Sequence, residues 1–439
     1  MIRRLVVLLA AGAAIVAVVA TGRIVVDEPG ERATTVAEVV PAVQPLACPG
    51  PVEIPVGDID SGDPDLGSGS GERTYDVEGD GTDPVGVGFL ADGDAAASLE
   101  RIGTGDVAGI AAAACVAPVR DQWLVGGSTA LGASARLVLT NPSDASTEAT
   151  VTLYGGLGEI EEHAVVSIAP GAQQDLLLEG IAAEVPALAV HVVATGAGIV
   201  AHLQDSRLDG FQAAGTDWVT RGAQPGTSLV VPGVGVAGEA TATLRLLAPE
   251  GADASLTLVG EDGAIEWGGV SALELEPGVV TEVEVPAAAS GAIEIVADAP
   301  VVAGALLTVP RDVVDGPDDA LAADLAWTPA QPADDGAARS VMITEHITAL
   351  AVHASATGEV AFTDAAGTVV ASASMTAGTS RVLDVDVPAG TVVTGPAGAA
   401  WVATATDEPG FIGTVVPRRT DVESTPVTVS QRGYVRDGS

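Results

Sequence analysis

The segment Ala135-Arg136-Leu137-Val138-Leu139-Thr140, which stops at Asn141-Pro142, is the clearest indication of the fold of this chain. Its side chains alternate as they do along a strand that buries one face. Residues 149–154 (ATVTLY) follow the same pattern and end at Gly155-Gly156, and residues 165–168 (VVSI) run into a Pro-Gly turn. Short alternating segments between Gly, Pro and Asn turn signals predict hairpins of an antiparallel sheet.

The same order of strands and turns returns twice further along the chain. Residues 243–247 and 255–259 precede a turn at Pro277-Gly278, and residues 349–353 and 359–362 open another copy. No amphipathic helix of any length interrupts these segments. The pattern predicts an all-β fold of tandem antiparallel β-sandwich modules, immunoglobulin-like in type, after an N-terminal hydrophobic helix.

A longer unit also recurs, and three of its copies end in a tryptophan. The small-residue segments that open the four copies, with the tryptophans that follow them, are 108–110 with Trp123, 197–200 with Trp218, 302–306 with Trp327, and 410–413 with none. The tryptophans lie 95 and 109 residues apart, the size of one small sandwich. This spacing predicts a disulfide-containing β module at 48–125 and β-sandwiches at 126–228, 229–333 and 334–432.

The N-terminus has the pattern of a signal sequence. Met1-Ile2-Arg3-Arg4 is followed by apolar residues 5–21, a stretch marginally long enough to cross a bilayer. Residues 1–26 are therefore predicted to be either a retained signal anchor or a cleaved signal peptide, and residues 27–47 a polar stalk. In both cases Arg3 and Arg4 stay on the cytoplasmic side of the membrane. The rest of the chain is then exported, as the extracellular region of a single-pass membrane protein or as a secreted protein.

The predicted export of the chain bears on the state of its two cysteines. In an exported protein an even number of cysteines is most simply a disulfide, here Cys48–Cys115, and the alternative is two free thiols. Closing a loop of this length stabilises the fold by about 4 kcal/mol in the chain-entropy model.

Charge and composition exclude several classes of function. The net charge is −41 and every basic residue is arginine, so nucleic acid and anionic lipid headgroups are poor partners. Without lysine the chain has no Schiff-base, P-loop or Ser-Lys chemistry. An apolar content of 47% excludes disorder of the whole chain.

Several short motifs resemble those of the actinobacterial envelope proteins grouped as domain of unknown function 5719. They are Cys48-Pro49-Gly50-Pro51, the second cysteine before Trp123, Leu-x-Leu-x-Asn-Pro at 137–142, Gly215-Thr216-Asp217-Trp218 and Val231-Pro232-Gly233-Val234. The resemblance implies an exported protein of a GC-rich Gram-positive bacterium. It also implies cell-envelope proteins as partners, among them a membrane glycosyltransferase, and it carries over no function.

No residue pattern predicts a catalytic, cofactor or metal site. The histidines (His163, His191, His202, His346 and His353) have no zinc spacing and are expected in cores or half-buried positions. The acidic loop Asp58–Asp65 opens like a calcium loop but lacks the terminal Glu, and Asp312, Asp315, Asp318 and Asp319 form a second acidic loop. Ser128 lacks the closing glycine of a nucleophile elbow. Both loops are expected to be solvated, and no enzymatic activity is expected.

The tryptophans distinguish two hypotheses about function. Trp123, Trp218 and Trp327 are predicted to pack at module junctions, each between its own module and the next, and the alternative is a row of exposed sugar-stacking platforms. The first hypothesis is a rod of three or four modules that acts as a non-catalytic envelope scaffold or accessory protein for glycopolymer assembly. The second is a cell-wall carbohydrate-binding module, and the third an envelope hydrolase or transferase.

Overall fold

The computed structural model describes residues 34–39, 46–52, 83–85, 88–91, 96–210, 212–235, 239–286, 291–311, 322–334, 336–407, 410–419 and 425–430. The chain divides into two compact units, one of Met1–Pro41 with Val422–Ser439 and one of Ala42–Asp421. The predicted signal segment, residues 1–26, lies outside the described residues. Within the described ranges no helix has both the length and the hydrophobicity to span a bilayer.

The smaller unit contains an antiparallel ribbon of two strands, β1 (Thr34–Val39) and β34 (Thr425–Ser430). Thr34 lies opposite Ser430 and Val39 opposite Thr425. Both strands are rich in Thr and Val, residues that favour an extended backbone. Strand β1 falls within residues 27–47, the predicted polar stalk.

The larger unit begins with small sheets that are linked by the disulfide. Strands β2, β4 and β3 form one sheet, and β5 pairs with β6 so that Ile102 lies opposite Ile110. Cys48 and Cys115 form the predicted disulfide, which joins the end of β2 to the residue after β6. The strands are β2 Leu46–Cys48, β3 Asp83–Val85, β4 Gly88–Ala91, β5 Ser98–Gly103 and β6 Gly109–Ala114, with a 3-10 turn at Gly105–Val107.

The first sandwich packs a sheet in the order β10-β9-β13-β7, with β11 beside β9, on a second sheet in the order β12-β8-β14-β15. Its strands are β7 Asp121–Val125, β8 Ala133–Asn141, β9 Thr147–Gly155, β10 Gly158–Glu159, β11 Ala164–Ile168, β12 Ala172–Leu177, β13 Ala189–Ala194, β14 Val200–Asp209 and β15 Gln212–Val219, with a 3-10 turn at Leu178–Gly180. The predicted boundary after residue 125 differs from the structure, because β7 is a strand of this sandwich.

The second sandwich repeats this topology, except that one long strand, β22, belongs to both sheets. The sheets are β19-β18-β22-β16-β24, with β20 beside β18, and β21-β17-β22-β23. The strands are β16 Gly226–Pro232, β17 Thr241–Leu247, β18 Ala252–Gly260, β19 Gly263–Ile265, β20 Leu273–Leu275, β21 Val280–Val285, β22 Ala292–Arg311, β23 Ala322–Pro329 and β24 Gln331–Pro332.

The third sandwich has sheets in the orders β28-β27-β30-β25-β33 and β29-β26-β31-β32. Its strands are β25 Arg339–Met342, β26 Ile347–Ala354, β27 Gly358–Asp364, β28 Val369–Met375, β29 Thr379–Asp384, β30 Val392–Gly395, β31 Ala399–Asp407, β32 Phe411–Val415 and β33 Arg418–Arg419. The described part of the chain is therefore all-β, with antiparallel strand pairing as predicted.

Alternation along the strands explains where each core sits. In β9, Ala149, Val151 and Leu153 are fully buried, whereas Thr150 and Thr152 between them are partly exposed. Because successive side chains point to opposite faces, one face of β9 enters the core of the first sandwich and the other does not. The local period of two therefore sets the inner face of this strand.

The sandwiches do not follow one another in a line, as the expected rod requires. Strand β6 contacts both β15 of the first sandwich and β32 of the third, β15 contacts β23 of the second, and β23 contacts β32. The contacts form a closed cycle, and the earliest part of this unit packs against its latest part. The prediction of a rod is wrong for this unit, because these strands pack at a common junction instead of lying in separate modules.

Candidate functional site

The strands β6, β15, β23 and β32 meet at one place, named here the four-strand junction. Their contacts are made by side chains and isolated main-chain groups, since these four strands are not neighbours in any sheet. Strand β6 shows why they fit: Ile110, Ala112 and Ala114 enter the core of the third sandwich, and its other alanines pack against Trp218 of the first. A strand buried on both faces needs small side chains, which explains the sequence GIAAAA.

Trp327 of β23 carries the densest set of interactions at the junction. Its ring lies in the core of the first sandwich, although the residue belongs to the second. The indole N–H donates to Asp205 Oδ2 at 2.9 Å, and the main-chain N–H donates to Asp217 Oδ2 at 2.8 Å. The Arg245 guanidinium lies 4.9 Å from the ring centroid, within the range of a cation–π contact. Trp327 therefore fixes two sandwiches to each other.

Two buried carboxylates join edge strands through main-chain amides. Asp217 of β15 accepts the Trp327 N–H, and Asp324 of β23 accepts the Ile412 N–H of β32 at 2.9 Å. Both aspartates are 0% exposed. An outward amide of an edge strand would be costly if it were buried without an acceptor. Each carboxylate therefore takes the place that a neighbouring strand would fill in a continuous sheet.

Burial changes the protonation of both carboxyl groups. It raises the pKa of Asp217 well above its ordinary range, and the charge of Asp324 raises it further, whereas main-chain amides of β23, β15 and β6 lower it. Burial raises the pKa of Asp324 to about 7, against the opposing effects of amides on β32, β23 and β6 and of the Arg311 charge.

Two glycines allow the strands to approach the carboxylate. A Cβ on Gly109 would lie 2.7 Å from Asp324 Oδ1 and 2.9 Å from the main-chain nitrogen of Thr216. A Cβ on Gly215 would lie 2.5 Å from the main-chain nitrogen of Leu325. Any larger residue at these positions would push the strands of the junction apart.

Glu100 of β5 forms a second contact between the beginning and the end of the larger unit, named here the Glu100 clasp. Its fully buried carboxylate accepts a hydrogen bond from the Thr344 hydroxyl and lies 2.6 Å from His346 Nδ1. The other ring nitrogen of His346 lies 3.6 Å from Asp407 Oδ2. Hydrogen bonds to a buried carboxylate are among the stronger polar contacts in a protein. The clasp thus ties the N-terminal hairpin to the third sandwich.

The predicted tryptophans are all buried, with exposed fractions of 4% for Trp123, 1% for Trp218 and 1% for Trp327. Trp123 packs with residues of the second sandwich, Trp218 with the N-terminal segment, and Trp327 in the first sandwich. The prediction that each ring packs against the following module is wrong for Trp218 and Trp327, because both rings pack against a preceding part of the chain.

Only two of these tryptophans occupy the same position of the repeat. Trp218 lies opposite Gln204 in the pair β14–β15, and Trp327 lies opposite Leu306 in the pair β22–β23. In the third sandwich the corresponding residue is Thr414, whose hydroxyl donates to the Trp327 carbonyl. Trp123 lies on β7, a strand of the opposite sheet, so it does not belong to this series.

Two of the histidines are buried and neutral. Burial lowers the pKa of His202 to about 3, helped by the Arg221 charge, and lowers the pKa of His353 to about 4. His353 Nε2 lies 3.3 Å from Glu294 Oε1, and burial raises the pKa of that carboxyl. Desolvation therefore weakens the ionic character of this pair.

The remaining histidines lie beside carboxylates at separate places. His163 Nε2 is 3.6 Å from Glu159, His191 Nε2 is 3.1 Å from Asp121, and His346 belongs to the Glu100 clasp. Among the described residues, no group of three or more His, Cys, Asp or Glu side chains is placed to hold a metal ion.

The other candidates are distributed as follows. Ser128 is buried, and its Oγ lies 3.5 Å from the Val185 carbonyl oxygen. The acidic loop Asp58–Asp65 and the four aspartates between 312 and 319 lie outside the described residues. Neither loop's predicted lack of calcium binding is tested by the structure.

The acidic residues of the junction were not predicted from the sequence. Asp205, Asp217 and Asp324 lie in apolar strands, and the last two stand one and three residues before a tryptophan. A carboxylate at a position that alternation assigns to the interior was the available signal. In a chain with 59 acidic residues that signal was hidden by the many acidic side chains of turns and outer faces.

Comparisons with known proteins identify a family. No curated protein matches the chain. A solved structure described as "Biofilm associated protein - BSP domain" is similar at 11% identity, and the match covers 79% of this chain and 65% of that one. Its TM-score of 0.14 is too low to support any argument. Residues 73–397 match the family described as "Family of unknown function (DUF5719)". Because this match covers most of the chain, the resemblance noted from the short motifs is confirmed, and the chain belongs to the DUF5719 family.

Proposed function

We propose that the protein is an exported, non-catalytic scaffold or accessory protein on the outer face of the membrane, where it positions components of envelope glycopolymer assembly. One observation carries the proposal: the sandwiches share their cores at the four-strand junction. Trp327 of the second sandwich lies in the core of the first, and Ile110 of the N-terminal segment lies in the core of the third. Modules joined in this way hold their surfaces in a constant relation to one another.

Further features support an exported scaffold. The Cys48–Cys115 disulfide closes the N-terminal segment beside β6, and such bonds persist in oxidising compartments outside the cytosol. A net charge of −41 keeps a protein soluble and favours partners with basic surfaces. Loops on a rigid framework are the usual place for partner contacts.

The alternative of a carbohydrate-binding module has less support. Sugar stacking needs open aromatic faces, and Trp123, Trp218 and Trp327 are buried. A carbohydrate function would therefore require other residues. The scaffold remains the function that the arrangement of the junction favours.

The test is in-cell cross-linking of the tagged full-length protein followed by mass spectrometry. A scaffold should enrich envelope proteins, a membrane glycosyltransferase among them, relative to an unrelated tagged exported protein expressed at the same level. Absence of such enrichment, together with retention of the purified protein on wall polysaccharide, would favour the carbohydrate-binding alternative. Polymer cleavage or elongation by the purified protein would contradict a non-catalytic role.

A further inference from the structure

A cleft of about 350 Å³ lies beside the four-strand junction, between the first and second sandwiches. It is walled by the end of β14 at Asp209, the beginning of β15, and the neighbouring ends of β17, β22 and β23. This volume is at the lower end of the range for ligand sites. It accommodates a single side chain or a monosaccharide.

The lining of the cleft combines an apolar floor with an acidic rim. Alanines of β15 and β23 and Pro310 form the apolar part, and Asp209 and Glu239 contribute exposed carboxylates. Thr241 and Thr308 add hydroxyl groups. Among the described residues no basic side chain lines the cleft. Gln212 adds an amide that both donates and accepts, and the net charge of the described lining is negative.

The cation that follows Pro310 in the chain is already bound by main-chain carbonyls of two residues of the cleft wall. Arg311 donates to the Ala213 carbonyl at 3.1 Å and to the Ala323 carbonyl at 3.0 Å, and its charge interacts with Asp324. The chain contains no lysine. An ammonium group that matches the acidic rim must therefore come from another molecule.

We propose that this cleft binds a lysine side chain of a partner protein. The ammonium group has three donors and no acceptor, which suits the two carboxylates and the hydroxyls. Its four-carbon stem suits the alanine floor, because lysine buries its methylene groups on apolar surfaces while the charge stays at the rim. A sugar fits less well, since none of the described residues that line the cleft is aromatic. The proposal deepens the scaffold function by naming the chemistry of its partner.

The test uses the full-length protein in a non-ionic detergent and Nα-acetyl-lysine methylamide as the probe. Saturation-transfer NMR should show contact with the methylene groups of the probe, and this signal should be lost with the Nε-acetylated form. The double variant Asp209→Asn with Glu239→Gln should bind the probe roughly tenfold more weakly, because it removes both exposed carboxylates that pair with the ammonium group. Both side chains are exposed, so the variant should melt like the wild type.

A matched control is Glu274→Gln with Glu359→Gln. It removes two exposed carboxylates elsewhere in the second and third sandwiches and should leave binding unchanged. Equal binding of the charged and acetylated probes, or equal weakening by both double variants, would overturn the proposal. Tighter binding of glucosamine than of the lysine probe, with the same dependence on Asp209 and Glu239, would also overturn it. None of these results bears on cross-linking to envelope proteins, so failure here is distinguishable from failure of the scaffold proposal.

Discussion

Stability of the larger unit should fall as the pH rises through the range in which Asp324 ionises. Its folded-state pKa is raised to about 7 by burial, whereas an aspartate in an unfolded chain titrates near 3.9. Between these values the folded protein holds a proton that the unfolded chain has released. The free energy of unfolding therefore decreases with increasing pH across this window, the opposite of what a salt-bridged aspartate produces.

The magnitude follows from the difference between the two pKa values. A difference of about 3 pH units at 1.36 kcal/mol each amounts to about 4 kcal/mol, fully present below pH 4 and lost above pH 7. In Asp324→Asn this group no longer titrates, and the amide oxygen can still accept the Ile412 N–H. The variant should therefore lose stability less steeply than the wild type as the pH rises from 4 to 8.

The assay is urea unfolding of the wild type and Asp324→Asn at pH 4, 6 and 8. We expect the wild type to lose about 4 kcal/mol more than the variant across this range. Asp262→Asn, which removes the same charge from an exposed turn, is the control and should follow the wild type. Parallel pH profiles for the wild type and Asp324→Asn would refute the reasoning, because they would mean that the group keeps its ordinary pKa in the folded state.

Three further predictions concern contacts that hold the larger unit together. Trp327→Ala should destabilise the fold by roughly 3–5 kcal/mol, the usual cost of removing a buried aromatic ring, and Asp205 would lose its indole donor; a loss below about 1 kcal/mol in urea unfolding would contradict its place between two sandwiches. Replacing Cys48 and Cys115 by alanine should cost about 4 kcal/mol, and proteolysis should then cut the N-terminal segment first; an unchanged cleavage pattern would show that this segment does not depend on the disulfide. Gly109→Ala should lower the melting temperature more than a Gly→Ala change at the open position Gly180, and equal effects would argue against the close approach to Asp324.

Local sequence determined the strands and many of their turns. Residues 135–140 and 149–154 lie in β8 and β9 as predicted, but β8 is buried on both faces and not on one, because other parts of the chain cover its second face. Turns at Gly171 and Gly278 have the positive φ angles that favour glycine, 58° and 71°. These features follow from interactions between near neighbours, so a pattern of a few residues is enough to predict them. The disulfide was also predictable, because the chain offers only one cysteine pair.

Tertiary structure alone decided the closed arrangement and its acidic centre. Alternation states that a face is buried but not what covers it, so Ile110 could not be assigned to the third sandwich or Trp327 to the first. For the same reason Asp217 and Asp324 looked like ordinary acidic residues until their strands met amides from other sandwiches. The sequence determined which segments form strands, because that depends on local steric and hydrophobic preferences. The closing of those strands on one another depends on contacts between residues far apart in the chain, and only the folded structure contains them.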